Sequence, residues 1–293
     1  MAVIPKELVE VFNAPMEGYK NKPAEILNTI GFYCEADFEI KPEIMSALKA
    51  NVAGLAQVDP QTLREGFERV ISSKKAGPGL SLLIEIGAMD YIIGPEVAQH
   101  MSRAEISHLN GYIENIDKTL QTHLRRLALF YCCFEPKKGE KAISHLAYTE
   151  EELVHLHDAV HMIDRLYFLT NKYEYKKFLV KYGMERYEFL HNLSKAQRIV
   201  YDLPVNRVES RDYLYNNIRE WNEPIFEEDM AITRDQLREY GCKEEDLDKV
   251  MRGLLDLVHI MPKFNNRHDL EDYGRKYSKH PWRMMFKKLK YIK

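Results

Sequence analysis

The chain has 293 residues, 45% of them hydrophobic and 30% charged, with a formal net charge of -3. That size supports one large core or a few small domains, and the balance excludes a disordered polypeptide. A pI near 6.4 offers no global attraction to nucleic acid, so any such contact must rest on a local patch of cations.

No run of about 18 apolar residues exists to span a bilayer, and the opening "MAVIPKELVEVF" lacks the basic start and apolar middle of a secretory signal. The expectation is a cytoplasmic protein with no membrane partner. Cys132 and Cys133 are adjacent, Cys34 and Cys242 are isolated, and no CxxC or Cys/His spacing suggests zinc. Free, mostly buried thiols follow.

In chain order, residues 1–20 form an N-terminal arm. In "NKPAEILNTIGF" (21–32), Asn21 can cap a helix, Pro23 sits in its first turn, and Ile26, Leu27 and Ile30 share its inner face. Lys22 and Glu25, three apart, pair on its surface. Apolar residues recur at spacings of three and four through most of the rest, as in "LVHLHDAVHMIDRLYFL" and "LDKVMRGLLDLVHIM". Alternating strand patterns are nearly absent, so the fold class is all-α. Turn signals at Asp59-Pro60, Gly77-Pro78-Gly79, Gly94-Pro95, Pro136 to Gly139, Pro204 and Pro224 predict about a dozen helices of about 8 to 20 residues. Composition divides the remainder at 21–100, 101–203 and 204–293.

Four segments carry candidate chemistry. "SSKKAGPGLSLL" is glycine-rich before a helix, yet it lacks the Gly-Lys-Ser/Thr ending of a phosphate-cradling loop and follows no strand. It predicts a helix connection in which Lys74 and Lys75 can touch an RNA backbone. "HLHDAVHMID" holds His157-Asp158, and His157 and His161 lie four apart, the spacing of a metal pair or a phosphohydrolase. With His155 they are read as structural, and no metal is assigned.

"KYEYKKFLVKYGMERY" interleaves Lys172, Lys176, Lys177 and Lys181 with Tyr173, Tyr175 and Tyr182, the mixture that holds a nucleic-acid backbone and stacks its bases. An amphipathic helix with rings inward and lysines solvated gives the same string. The C-terminus "GRKYSKHPWRMMFKKLKYIK" places Arg275, Lys276, Lys279, Arg283, Lys287, Lys288 and Lys290 beside Trp282, Phe286 and Tyr291. RNA is one ligand for it. Its rivals are docking on residues 223–248, which hold ten acidic and three Lys or Arg side chains, and a partner- or membrane-surface helix.

"DPQTLREGFERVISSKKAGPGLSLLIEIGAMDYIIGPEV" (59–97) resembles the neck of class II tRNA nucleotidyltransferases and bacterial poly(A) polymerases. Upstream "ILNTIGFYCEADFEIKPEIMSALKAN" and downstream "LRRLALFYCC", "AISHLAYTEEELVHL" and "DMAITRDQLREYGCKEEDLDKVMRGLLDLV" are similar to further segments of that family, in the same order. The resemblance implies an elongated helical array of neck (21–100), body (101–203) and tail (204–293). In the family a catalytic head precedes the neck, with an Asp-x-Asp pair that holds two magnesium ions. "MAVIPKELVEVFNAPMEGYK" cannot supply those carboxylates. No catalytic residue is therefore assigned, and magnesium with ATP or CTP enters only where a head is present elsewhere.

The resemblance also implies degenerate base-reading positions. The family's Asp and Arg, which pair with the incoming base, fall on Lys22 and Glu25, an acceptor turned donor and a donor turned acceptor. Its next Arg and Glu fall on Thr62 and Gly66. In the tail, the segments that present a helix N-terminus to tRNA phosphate fall on Arg234, Gln236 and "EEDLDK", where Glu244, Glu245 and Asp246 would repel a phosphate. The family's His-Asp dyad after "RLAL" is replaced by Tyr131-Cys132-Cys133.

The reading that follows is a non-catalytic relative that binds tRNA-like RNA or docks a separate catalytic subunit. A C-terminal fragment of an active CCA- or poly(A)-adding enzyme and a protein-interaction scaffold stay open beside it.

Overall fold

The computed structural model describes residues 4–36, 39–119 and 122–279, and every regular element among them is a helix. The α-helices are α1 (Lys6–Asn13), α2 (Pro15–Asn21), α3 (Glu25–Glu35), α4 (Pro42–Asn51), α5 (Pro60–Ser72) and α6 (Ala76–Glu85). There follow α7 (Met89–Ile93), α8 (Pro95–Gln99), α9 (Arg103–Asn115), α10 (His123–Tyr131), α11 (Pro136–Ser144) and α12 (Glu150–Met162). The rest are α13 (Lys172–Tyr182), α14 (Met184–Val200), α15 (Asn206–Glu220), α16 (Arg234–Glu239), α17 (Glu244–Ile260) and α18 (Arg267–Lys279). Helices as short as α7, α8 and α16 raise the number above the dozen expected, because single turns bounded by Gly or Pro leave little apolar periodicity.

Two junctions differ from the sequence reading. Asn21 ends α2 instead of capping the next helix, because Pro23 pushes Lys22 out of helical geometry (φ -131, ψ 70), and α3 starts only at Glu25. Gly77, Pro78 and Gly79 lie inside the first turn of α6, where a missing proline N–H costs nothing. Elsewhere the caps are where the residues demand them. Asp59, Ser102, Thr149, Asn171 and Thr233 each accept the N–H three residues on.

Contacts gather the chain into two compact units, Met1–Asp164 with Leu190–Val205 and Arg165–Phe189 with Asn206–Lys293. In the first, α3, α5 and α6 bury Ile26, Leu27, Ile30, Leu63, Phe67, Val70, Leu80 and Leu83. Each such side chain stabilises the fold by about 1.5–3 kcal/mol relative to exposure. Phe67 meets Phe130 of α10 with ring centroids 5.0 Å apart. Glu105 ties α9 to α11: its buried carboxylate accepts from Ser102 N at 2.7 Å, Glu135 N at 2.9 Å and Lys138 Nζ at 2.6 Å. Burial alone would raise its pKa, but these donors hold it at about 2.

In the second unit, α16, α17 and α18 share a core of Ile232, Leu237, Leu247, Val250, Leu254, Val258, Leu270 and Tyr277. The rings of Tyr175, Tyr187 and Tyr215 form a separate group between α13, α14 and α15, with Tyr175 and Tyr187 4.8 Å apart. All four cysteines are free, and three of them are buried. Among the described residues no helix is long and apolar enough to cross a membrane.

Candidate nucleic-acid interface

Lys22, Glu25, Thr62 and Gly66, which the resemblance leads one to expect as degenerate base-reading positions, all serve the scaffold. Lys22 reaches back to Glu10, with Nζ 2.8 Å from Oε2, in place of the expected pair with Glu25. The break at Pro23 leaves Lys22 past the end of α2 and Glu25 at the start of α3, so their three-residue spacing is not that of one helix face. Glu25 instead accepts from Asn28 Nδ2 at 3.3 Å. Thr62 serves the cap of α5: its hydroxyl and N–H reach Asp59 at 2.7 and 3.0 Å, and they lower the Asp59 pKa. At Gly66, a Cβ would lie 2.6 Å from Leu27 Cβ, so only glycine lets α5 cross α3 this closely.

The connection between α5 and α6 is clamped from both sides. Asp117 accepts from Ala76 N at 3.0 Å and Gly77 N at 3.1 Å, which fills the N-terminus of α6 with a carboxylate of the protein's own. Arg126, fully buried, donates through Nη1 to the carbonyls of Ile71 at 2.8 Å and Ser73 at 2.7 Å and so closes the end of α5. Burial lowers the Arg126 pKa, against the pull of Tyr112 and Asp117. Between the clamps, Lys74 and Lys75 stand exposed. No local pattern marks Asp117 or Arg126 in the sequence, since a capping carboxylate and a carbonyl-clamping arginine act across sequence distances that such patterns do not record.

In the second unit, α13 sorts its lysines onto two faces. Lys176 is 0% exposed and pairs with Glu223, Nζ to Oε2 2.7 Å, while Lys172 holds Oε1 of the same carboxylate at 2.5 Å. Lys176 is therefore no RNA contact: its charge is buried against an acid, and burial lowers its pKa despite that partner. On the other face Lys177 and Lys181 are exposed, each laid over a ring, Lys177 Nζ 5.2 Å from the Tyr173 centroid and Lys181 Nζ 4.9 Å from that of Tyr182. Tyr175 turns inward, as the amphipathic reading expects, and is no stacking platform.

At the end of α18, Lys276 and Lys279 are exposed, and Arg275 lies over the Tyr240 ring at 4.3 Å. Arg283, Lys287, Lys288 and Lys290 lie outside the described residues. Part of the acidic stretch is paired locally. Arg234 bonds Glu227 and Asp248, and Arg238 reaches Glu244 at 2.9 Å and Asp235 at 2.6 Å. Residues 234–248, where the resemblance leads one to expect a helix end presented to phosphate, hold a set of ion pairs.

An open cleft of about 740 Å³ in the second unit has no counterpart in the sequence reading. It is lined by Leu166, Tyr167, Arg207, Ser210 and Tyr213 among others, with the Arg207 guanidinium 5.8 Å from the Tyr167 ring centre. Phe168, Tyr213 and Trp221 are 75%, 69% and 74% exposed. The only sequence signal is a negative one, the polar α15 with aromatic residues that follow no inward periodicity. In the first unit, His157 and His161 of α12 face Glu140 of α11.

Residues 37–101 match the family model described as the probable RNA and SrmB-binding site of polymerase A. No curated protein matches the chain. In fold, 87% of it corresponds to 60% of a CCA-adding enzyme solved with ATP, at TM-score 0.55 and 14% identity. A further 82% correspondence, at TM-score 0.51 and 15% identity, covers 58% of the Thermotoga maritima CCA-adding enzyme solved with tRNA. The chain spans about 60% of the length of these enzymes. It resembles class II tRNA nucleotidyltransferases and poly(A) polymerases in its all-helical fold, and in sequence over residues 37–101.

Proposed function

We propose that this chain binds tRNA-like RNA through backbone phosphates and does not itself add nucleotides. The observation that carries the reading is the exposed pair Lys177 and Lys181, each over a tyrosine ring, in a fold like that of an enzyme solved with tRNA. Lys74 and Lys75 supply a second cationic contact on the neck-like unit. Cations held over rings fit a backbone that is gripped by charge and bases that stack. The absence of nucleotide addition rests on Lys22, Glu25, Thr62 and Gly66, which serve ion pairs, caps and a helix crossing in place of base reading. On this reading the chain needs no magnesium, ATP or CTP of its own, and acts in the cytoplasm.

Binding of a tRNA-sized RNA at about 50 and 200 mM salt is the test, since affinity for phosphate falls steeply over that range. Lys177→Ala with Lys181→Ala should weaken binding and flatten the salt slope by about one for each phosphate that is no longer neutralised. Lys172→Ala, next to Glu223, should change neither. No binding at the lower salt overturns the proposal, and incorporation of labelled ATP or CTP into tRNA overturns its non-catalytic part.

The exposed Phe168, Tyr213 and Trp221 favour a second reading, a protein partner such as a separate catalytic subunit. A partner that co-purifies unchanged after ribonuclease treatment supports it, and one lost with the RNA removes it.

A further inference from the structure

Two histidines one turn apart need a third donor from another element to enclose a cation. α11 supplies one. Glu140 Oε1 lies 2.6 Å from His161 Nε2 and 3.8 Å from His157 Nδ1, and the three candidate ligand atoms all fall within 4.8 Å of one another. Ligands about 2.0–2.2 Å from a tetrahedral ion sit roughly 3.3–3.6 Å apart, so small side-chain adjustments close the set. All three side chains are about 40% exposed, open to an ion and to water as a fourth ligand.

The backbone holds the donors in register. Gly139 precedes Glu140 and Val160 precedes His161, and a Cβ at Gly139 would meet Val160 Cγ1 at 3.0 Å and Tyr131 O at 3.2 Å. The two helices therefore make a close approach one residue before the donors on each. Ala142 and Ile143 on α11, with Leu156 and Ala159 on α12, are buried in the same packing. The donors stand on rigid, contacting elements, as a preorganised site requires.

We propose that Glu140, His157 and His161 bind a zinc-class divalent ion, coordinated by His157 Nδ1, His161 Nε2 and a Glu140 carboxylate oxygen, that fastens α11 to α12. Two imidazoles and one carboxylate suit zinc, cobalt or nickel better than the oxygen-seeking magnesium or calcium. Binding replaces the His161–Glu140 hydrogen bond, with the neutral imidazole of His161 carrying its proton on Nδ1 when Nε2 holds the ion. A second group, Glu68, His123 and Glu152, already holds its own cation: Arg64 Nη1 is 3.0 Å from Glu152, and Arg64 Nε is 3.7 Å from Glu68. It serves as the control.

Cobalt(II) titrated into the full chain reads the site directly. The expected result is one equivalent bound, visible d–d absorption without a thiolate charge-transfer band, displacement by zinc, and a raised melting temperature. His157→Ala with His161→Ala should weaken binding by about 100-fold or more, Glu140→Gln by at least about tenfold, and His123→Ala not at all. Glu140→Gln keeps the histidines and tests the site even if the double variant folds poorly. Cobalt affinity weaker than about millimolar, or binding untouched by Glu140→Gln, overturns the proposal and leaves the three residues as a surface ion-pair group.

Discussion

Asp117 caps Gly77 across forty residues of chain, its Oδ2 accepting the glycine N–H at 3.1 Å while Oδ1 takes that of Ala76 at 3.0 Å. A carboxylate that satisfies two orphan amides at a helix start is a strong cap. Its second role is to stand 3.8 Å from the buried Arg126. Asp117→Ala should therefore lower stability by about 2 kcal/mol, and Asp117→Asn by about half that, because one amide oxygen can still accept. Urea unfolding of the two variants checks the ratio.

Gly66→Ala sets two effects against each other. Alanine gains about 1 kcal/mol of helix propensity over glycine. Its Cβ, however, would lie 2.6 Å from Leu27 Cβ, an atom too close to the backbone to swing away, and overpacking of this kind costs about 1–3 kcal/mol. The net expectation is a loss of about 1 kcal/mol. Leu27→Ala keeps that Cβ and removes only the contacts with Cδ1 at 2.9 Å and Cγ at 3.3 Å, so in its background the loss should shrink but persist, and a double-mutant cycle in urea measures the part owed to the outer atoms.

Much of the fold was legible because helical spacing and caps are local. Leu63, Phe67 and Val70 mark the inner face of α5 in any reading, and all three are buried. What escaped was long-range. Lys172, Lys176, Lys177 and Lys181 look alike in the string, and Glu223, far along the chain, is what pairs with the first two, Lys172 half-buried and Lys176 fully buried, while the last two stay outside. His157 and His161 read as structural for the same reason, as their third partner, Glu140, lies on another helix.

Glu223 and Lys176 predict an asymmetry. Glu223 is 9% exposed and receives both lysines; burial would raise its pKa, but their hydrogen bonds lower it. Glu223→Ala strands a fully buried ammonium and should cost about 3–5 kcal/mol. Lys176→Met removes that ammonium, leaves Lys172 on the carboxylate, and should stay within about 1 kcal/mol of the wild type. Because the Lys176 pKa is depressed in the folded state, Glu223→Ala should recover stability as pH rises toward the unfolded lysine value of about 10.4. Urea midpoints at pH 7 and 10 separate these outcomes.

His259 gives the second unit an acid sensitivity of its own. It is buried on α17, with Nε2 2.8 Å from the carbonyl of Ile225, and Nδ1 has no hydrogen-bond partner. Burial pushes its pKa down to about 4, against the pull of that carbonyl. In the unfolded chain the imidazole titrates near 6.5. Below that value the unfolded state gains a proton that the folded state refuses, so stability is complete above pH 6.5 and falls down to pH 4. A difference of about 2.5 units corresponds to about 3 kcal/mol at the lower limit. Carboxylates with depressed pKa values, such as Glu223, add their losses mainly below about pH 4.5, outside most of the interval in which His259 acts. His259→Gln keeps a donor for Ile225 without the titration, and its urea midpoints should be nearly flat across that interval while the wild type declines.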